Sequence, residues 1–174
     1  MLKNHRTRLA ALAAAALVAA GFAPAEEQPV RVELISEHAS IQPGGATRVG
    51  VYFEIEEGWH IYAEHPGEEG LPTTVAWSGP AGTTFGPLSW PDAYAFLDGG
   101  AHTYGYSGVV VLRSTMSYHA LRDAAEKLDV RARVSWLACK ALCVPGKANL
   151  SLALPVTTAP PVRSAHAEYC EHTH

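Results

Sequence analysis

The stretch LDVRARVSWLACKALCVPGKANLSLALP, Leu128 to Pro155, decides the fold. Val130, Ala132, Val134 and Trp136 fall on one side of an extended chain, with Arg131, Arg133 and Ser135 on the other. The alternation returns in Leu150, Leu152, Leu154 and Val156. Successive side chains of extended backbone point to opposite faces, so period two marks a half-buried strand. Two such strands flank a connection that carries Cys139 and Cys143.

Working outward, Val49, Val51, Phe53 and Ile55 alternate with Gly50, Tyr52 and Glu54 in the same way. Further strands are expected over Val30 to Ser36, Trp59 to Ala63, Thr74 to Trp77 and Gly108 to Arg113. Pro43-Gly44-Gly45, Pro66-Gly67, Gly79-Pro80, Gly86-Pro87, Asp98-Gly99-Gly100 and Pro145-Gly146 punctuate these runs with residues that favour chain reversal. About seven short strands with turns at this spacing predict an all-β antiparallel β-sandwich. One segment departs from period two. From Tyr118 to Lys127, Leu121, Ala124, Ala125 and Leu128 recur at helical spacing and Arg122 precedes Glu126 by one helical turn, which predicts a single short helix or helical turn.

The ends read differently. Lys3, Arg6 and Arg8 precede an alanine-rich apolar run from Leu9 to Phe22, and Ala23-Pro24-Ala25 offers small residues for cleavage. Residues 1–25 are therefore expected to be a secretory signal peptide, cleaved near Ala25. The apolar run falls short of the ~20 residues that span a bilayer, and no cysteine at the cleavage region could carry a lipid. The expected product is a periplasmic protein with no membrane insertion after cleavage. Residues 26–156 form the expected sandwich domain, and residues 157–174, which show no period and no apolar face to bury, form an expected flexible tail containing histidines and a cysteine. Without the signal, ten Lys and Arg stand against seventeen Asp and Glu, a formal charge of −7, which argues against nucleic acid as a partner. No nucleotide-binding glycine fingerprint and no internal repeat occur, and no cofactor is expected.

In an oxidising compartment Cys139 and Cys143 are close enough to pair, as a redox couple or as a local structural bridge. In the chain-entropy model a five-residue loop gains only ~2 kcal/mol from closure, against nearly ~4 kcal/mol for a bond from Cys139 to distant Cys170. A dithiol on rigid strands remains reachable by another protein's sulfur, as exchange through a mixed disulfide requires. Lys140, between the two, could favour a thiolate or simply point to solvent.

Four stretches carry a family resemblance: Gly58-Trp-His-Ile-Tyr-Ala-Glu-His-Pro-Gly-Glu-Glu-Gly-Leu-Pro-Thr73, Gly86-Pro-Leu-Ser-Trp-Pro91, Tyr104-Gly-Tyr-Ser-Gly108 and Val134-Ser-Trp-Leu-Ala-Cys-Lys-Ala-Leu-Cys-Val-Pro-Gly146. With them the chain resembles the N-terminal domain of the DsbD thiol reductant conductors, including the related ScsB proteins of copper-tolerance operons. The resemblance implies an immunoglobulin-like sandwich whose cysteine pair takes electrons from a membrane reductant conductor and delivers them to periplasmic thioredoxin-like proteins. By resemblance to the family's second cysteine, Cys143 attacks the partner and Cys139 resolves the mixed disulfide. The resemblance further implies a cap loop over the pair, matched here by Asp92 to Gly100, with Phe96 as the capping ring and Tyr94 as the alternative. His60 and Tyr62 match the polar and aromatic residues beside the cysteines. The best-known members space their cysteines more widely, and they carry a membrane domain and a C-terminal thioredoxin-like domain; this chain is expected to work without them, so its electron donor is expected to be a separate protein. A competing reading is a copper- or metal-handling module using His166, Cys170, His172 and His174 of the tail, since thiolate and imidazole suit Cu(I) or Zn(II).

Overall fold

A computed structural model describes residues 28–119 and 125–171. Ten strands precede one short helix: β1 (Val30–Ser36), β2 (Ala46–Ile55), β3 (His60–Gly67), β4 (Thr74–Ser78), β5 (Thr83–Phe85), β6 (Tyr94–Asp98), β7 (Ala101–Tyr106), β8 (Val109–Tyr118), β9 (Lys127–Cys139), β10 (Cys143–Pro155) and α1 (Ala167–Glu171). They build an antiparallel sandwich of two sheets, one ordered β1-β2-β8-β5 and the other β10-β9-β3-β7-β6, with β4 also paired to β9. The all-β immunoglobulin-like architecture read from the sequence is the architecture found.

The alternation explains the layers. Val49, Val51, Phe53 and Ile55 of β2 and Val130, Ala132, Val134 and Trp136 of β9 are buried in one core, with Ile61, Leu112, Met116, Leu128 and Leu154. Burying one such large aliphatic or aromatic side chain contributes about 1.5–3 kcal/mol, so this core is the main support of the sheets. At its rim the Trp136 ring meets Phe53 edge-on, with centroids 6.0 Å apart. Trp136 also faces Gly146 across the β9-β10 ladder, and a Cβ there would lie 2.1 Å from the indole. Gly146 is therefore dictated by packing as well as by the Pro-Gly turn propensity noted in the sequence.

Two sequence expectations change, and a third falls largely outside the described residues. The segment Asp92 to Gly100 is not a plain loop. Its residues 94–98 are β6, joined to β7 by a two-residue turn in which Gly99 and Gly100 have φ of 59° and 102°, a left-handed geometry that glycine adopts without strain. The helix expected between Tyr118 and Lys127 is bounded by strand residues, because Tyr118 closes β8 and Lys127 opens β9, while residues 120–124 lie outside those described. Leu128, counted toward that helix, is a core residue of β9.

The tail expected to have nothing to bury does bury side chains. Ala167 and Cys170, one helical turn apart, dock on the outer face of the first sheet, where Cys170 packs with Ile35, Val111 and Tyr52. Tyr169 meets Tyr52 edge-on at 5.1 Å, and Ala39 N–H donates to the Val162 carbonyl at 2.8 Å. The physical reason is that Ile35 and Val111 leave an apolar spot on a face that would otherwise meet water, and α1 covers it. The proposed signal peptide lies outside the described residues.

Candidate redox site

Cys139 ends β9 and Cys143 begins β10, and the two are bonded as a disulfide directly opposite each other in the ladder. Only residues 140–142 lie between them, and Lys140 N–H donates to the Leu142 carbonyl to tighten the loop. The two sulfur-bearing residues differ sharply in environment: Cys139 is 2 % exposed, whereas Cys143 is exposed. Leu142 at the tip is 78 % exposed, an apolar side chain presented beside the bond. The Lys140 ammonium donates to the Glu57 carbonyl at 3.3 Å, which anchors it against the neighbouring turn.

Ladder register locates the other sequence-derived residues. Ile61 opposes Ala138 and both enter the core, so their neighbours His60 and Cys139, also opposed, share the outer face of the second sheet. Tyr62 follows on that face by alternation. Both His60 and Tyr62 are buried, at 5 % and 2 % exposure, where Phe96 and Asp98 of the β6-β7 hairpin contact them and Gly70 lies against the Tyr62 ring. Phe96 of β6 stacks on the His60 imidazole with ring centroids 4.3 Å apart and planes 13° from parallel. Tyr94, the alternative capping ring, is 62 % exposed. The structure thus gathers Cys139, Cys143, His60, Tyr62 and Phe96, and leaves Tyr94 toward solvent.

Two residues not singled out in the sequence complete the cluster. One carboxylate oxygen of Asp98, Oδ2, accepts hydrogen bonds from Thr103 Oγ1 at 2.6 Å, Tyr62 Oη at 3.1 Å and His60 Nε2 at 3.1 Å. Burial alone would raise the Asp98 carboxyl, but the Thr103 bond, the His60 charge and the bonds from Tyr62 and His60 outweigh it and hold Asp98 below the usual carboxylate range. Burial first, and Asp98 next, push the Tyr62 phenol up to about 12, so it stays a donor. The signal for Asp98 was present in the sequence. Reading Asp98-Gly99-Gly100 as a two-residue hairpin turn puts Asp98 two residues from Phe96, hence on the same strand face.

The tail residues do not form a comparable site. Cys170 is fully buried, and burial pushes its thiol up to about 11, so it is not an available surface ligand. His172 and His174 lie outside the described residues. Among the described residues no group of three His, Cys, Asp or Glu side chains is placed to hold a metal ion.

The fold and the site define a β-sandwich domain that carries a short-loop disulfide on one sheet, with one cysteine buried and the other open. The chain belongs to the family described as thiol:disulfide interchange protein DsbD, N-terminal, whose pattern matches residues 27–155. Among solved structures, the N-terminal periplasmic domain of ScsB from Proteus mirabilis is similar at TM-score 0.58 and 21% identity, covering 85% of this chain and 53% of that one. This chain therefore spans about half the length of that ScsB domain. The N-terminal domain of Neisseria meningitidis DsbD in the reduced form aligns at TM-score 0.37 and 14% identity, over 75% of this chain and 89% of that one. No curated protein matches the chain closely enough to count as a relative.

Proposed function

We propose that this chain is a periplasmic electron carrier in which Cys139 and Cys143 cycle between dithiol and disulfide, receiving electrons from a membrane thiol reductant conductor and passing them to thioredoxin-like proteins. The observation that carries the reading is the asymmetry of the pair, with Cys139 buried and Cys143 exposed on a tight hairpin. A donor thiolate attacks Cys143 Sγ, the bond between Cys143 and Cys139 breaks, and its electron pair leaves on Cys139, which takes a proton. The donor's second thiolate then attacks its own sulfur in the mixed disulfide and releases Cys143 as a thiolate. Two electrons have moved to this chain, and the donor is left as a disulfide. The reverse sequence, starting from the Cys143 thiolate, reduces the next protein's disulfide. His60 stands opposite Cys139 in the ladder, and in this reading it assists the proton that Cys139 takes.

A structural staple is disfavoured because closing so short a loop stabilises by only ~2 kcal/mol. The periplasmic setting is supported by the expected signal and by the family, in which the similar ScsB domain is periplasmic. The experiment is a pair of single variants treated with a disulfide such as oxidised glutathione. Cys139→Ser, which leaves Cys143, should form the mixed disulfide at least about tenfold faster than Cys143→Ser, since exchange rate follows sulfur access. Equal rates, or faster reaction at Cys139, would refute the assignment.

A further inference from the structure

We propose that Asp98 is a positioning residue that latches the β6-β7 hairpin over the Cys139 side of the disulfide, so that exchange is directed to Cys143. The inference rests on the redox reading above and adds to it the part that selects which sulfur is reached. Asp98 sits at the hairpin tip, yet its Oδ2 is bound to two side chains of β3, His60 and Tyr62, as well as to Thr103 of β7. Those bonds tie an edge strand to the floor of the site. They close the gap that Phe96 fills by stacking on His60, and His60 is the residue opposite Cys139. The cover is therefore one-sided. Cys139, across the ladder from the His60 on which Phe96 stacks, is 2 % exposed, while Cys143 is exposed with the hairpin in place.

The hairpin is otherwise lightly held. Among the described residues β6 is an edge strand that pairs with β7 alone, and Tyr94 and Leu97 on it are 62 % and 67 % exposed. Few apolar contacts and an exposed edge are the features of a segment that opens locally at low free energy. A carboxylate that collects three hydrogen bonds on one oxygen is then the natural determinant of how often it opens. Charge-assisted bonds are stronger than neutral ones, and removing the acceptor leaves buried donors unsatisfied.

The test is alkylation of each site cysteine alone, with Cys170 as an internal reporter of global unfolding because it is buried on the other sheet. In a Cys143→Ser background, Asp98→Ala and Phe96→Ala should each accelerate labelling of Cys139 by about tenfold or more, through a larger open population. Asp98→Asn, which keeps an acceptor but loses the charge, should give a smaller acceleration. A bulky maleimide should gain more than iodoacetamide, because relief of steric cover depends on reagent size whereas a changed thiol pKa would affect both alike. In a Cys139→Ser background the same substitutions should leave Cys143 labelling within about twofold, and Cys170 should stay silent throughout.

Unchanged Cys139 labelling in Asp98→Ala would overturn the latch, as would an equal acceleration at Cys143. If Asp98→Ala also labels Cys170, its fold has opened, and Asp98→Asn decides by the same criterion: faster Cys139 with silent Cys170 supports the latch, and unchanged Cys139 overturns it. Failure of the redox reading is distinct, since it would appear as failure of Cys139→Ser to form the mixed disulfide, whatever residue stands at 98.

Discussion

Asp98, Tyr62, His60 and Thr103 form a polar cluster on a face that faces neither the core nor open water, and its acid sensitivity can be read from chemistry alone. The Asp98 carboxyl ionises more easily in the folded chain than in the unfolded one. Its stabilising contribution is therefore complete above the unfolded Asp value of about 3.9 and is lost as pH falls through the lower folded value. Asp98→Asn should accordingly melt below wild type at about pH 6, with the gap closing as the pH drops under about 4. Thermal unfolding across that range checks it, and a gap independent of pH would contradict the account. At this scale the sequence was partly legible. The cysteines, His60, Tyr62 and Phe96 were named from spacing and family resemblance, and the structure groups them. Asp98 and Thr103 escaped because their partners are 36 and 38 residues away for Asp98 and local only for Thr103, and no periodicity reports a side-chain hydrogen bond across strands.

The strands that were easiest to foresee are those whose two faces differ most. β1 runs from Val30 to Ser36 as expected, and β9 and β10 alternate because one face meets the core and the other is more exposed, while β2 keeps its apolar alternation toward the core although Tyr52 on its outer face packs against α1. β6 and β7 were missed because their inner face is not apolar. Asp98, Thr103 and Gly105 occupy positions that a period-two reading expects to be hydrophobic, and Phe96 packs on an imidazole instead of the core. The β9-β10 hairpin that displays the disulfide depends on the close approach of Trp136 to Gly146. Gly146→Ala would drive a methyl into the indole, and overpacking of this kind costs about 1–3 kcal/mol. Urea unfolding should show a lowered midpoint together with altered tryptophan fluorescence, since Trp136 must move or tilt away from Phe53. A wild-type midpoint would mean that the indole yields without cost.

In the whole molecule, the two sheets expose two different outer faces. One bears the disulfide and the His60, Tyr62 and Asp98 cluster, and the other is covered by the tail through Ala167 and Cys170. The tail was illegible because its buried residues are small and its helix has only five residues, too short for any hydrophobic period to emerge. Native, reduced protein should therefore label fastest at Cys143 and slowly at buried Cys139, with Cys170 labelling only in denaturant, as its burial and raised pKa of about 11 require. Labelling of Cys170 at the rate of Cys143 in native protein would contradict the docked tail. The central claim concerns the other face, that the bond between Cys139 and Cys143 exchanges electrons instead of stapling the sandwich. Equilibration in glutathione or dithiothreitol buffers, with the fraction oxidised read by alkylation, measures its reduction potential. The account predicts a potential above about −300 mV with the sandwich folded in both states, whereas a value below that, where structural disulfides lie, would contradict it.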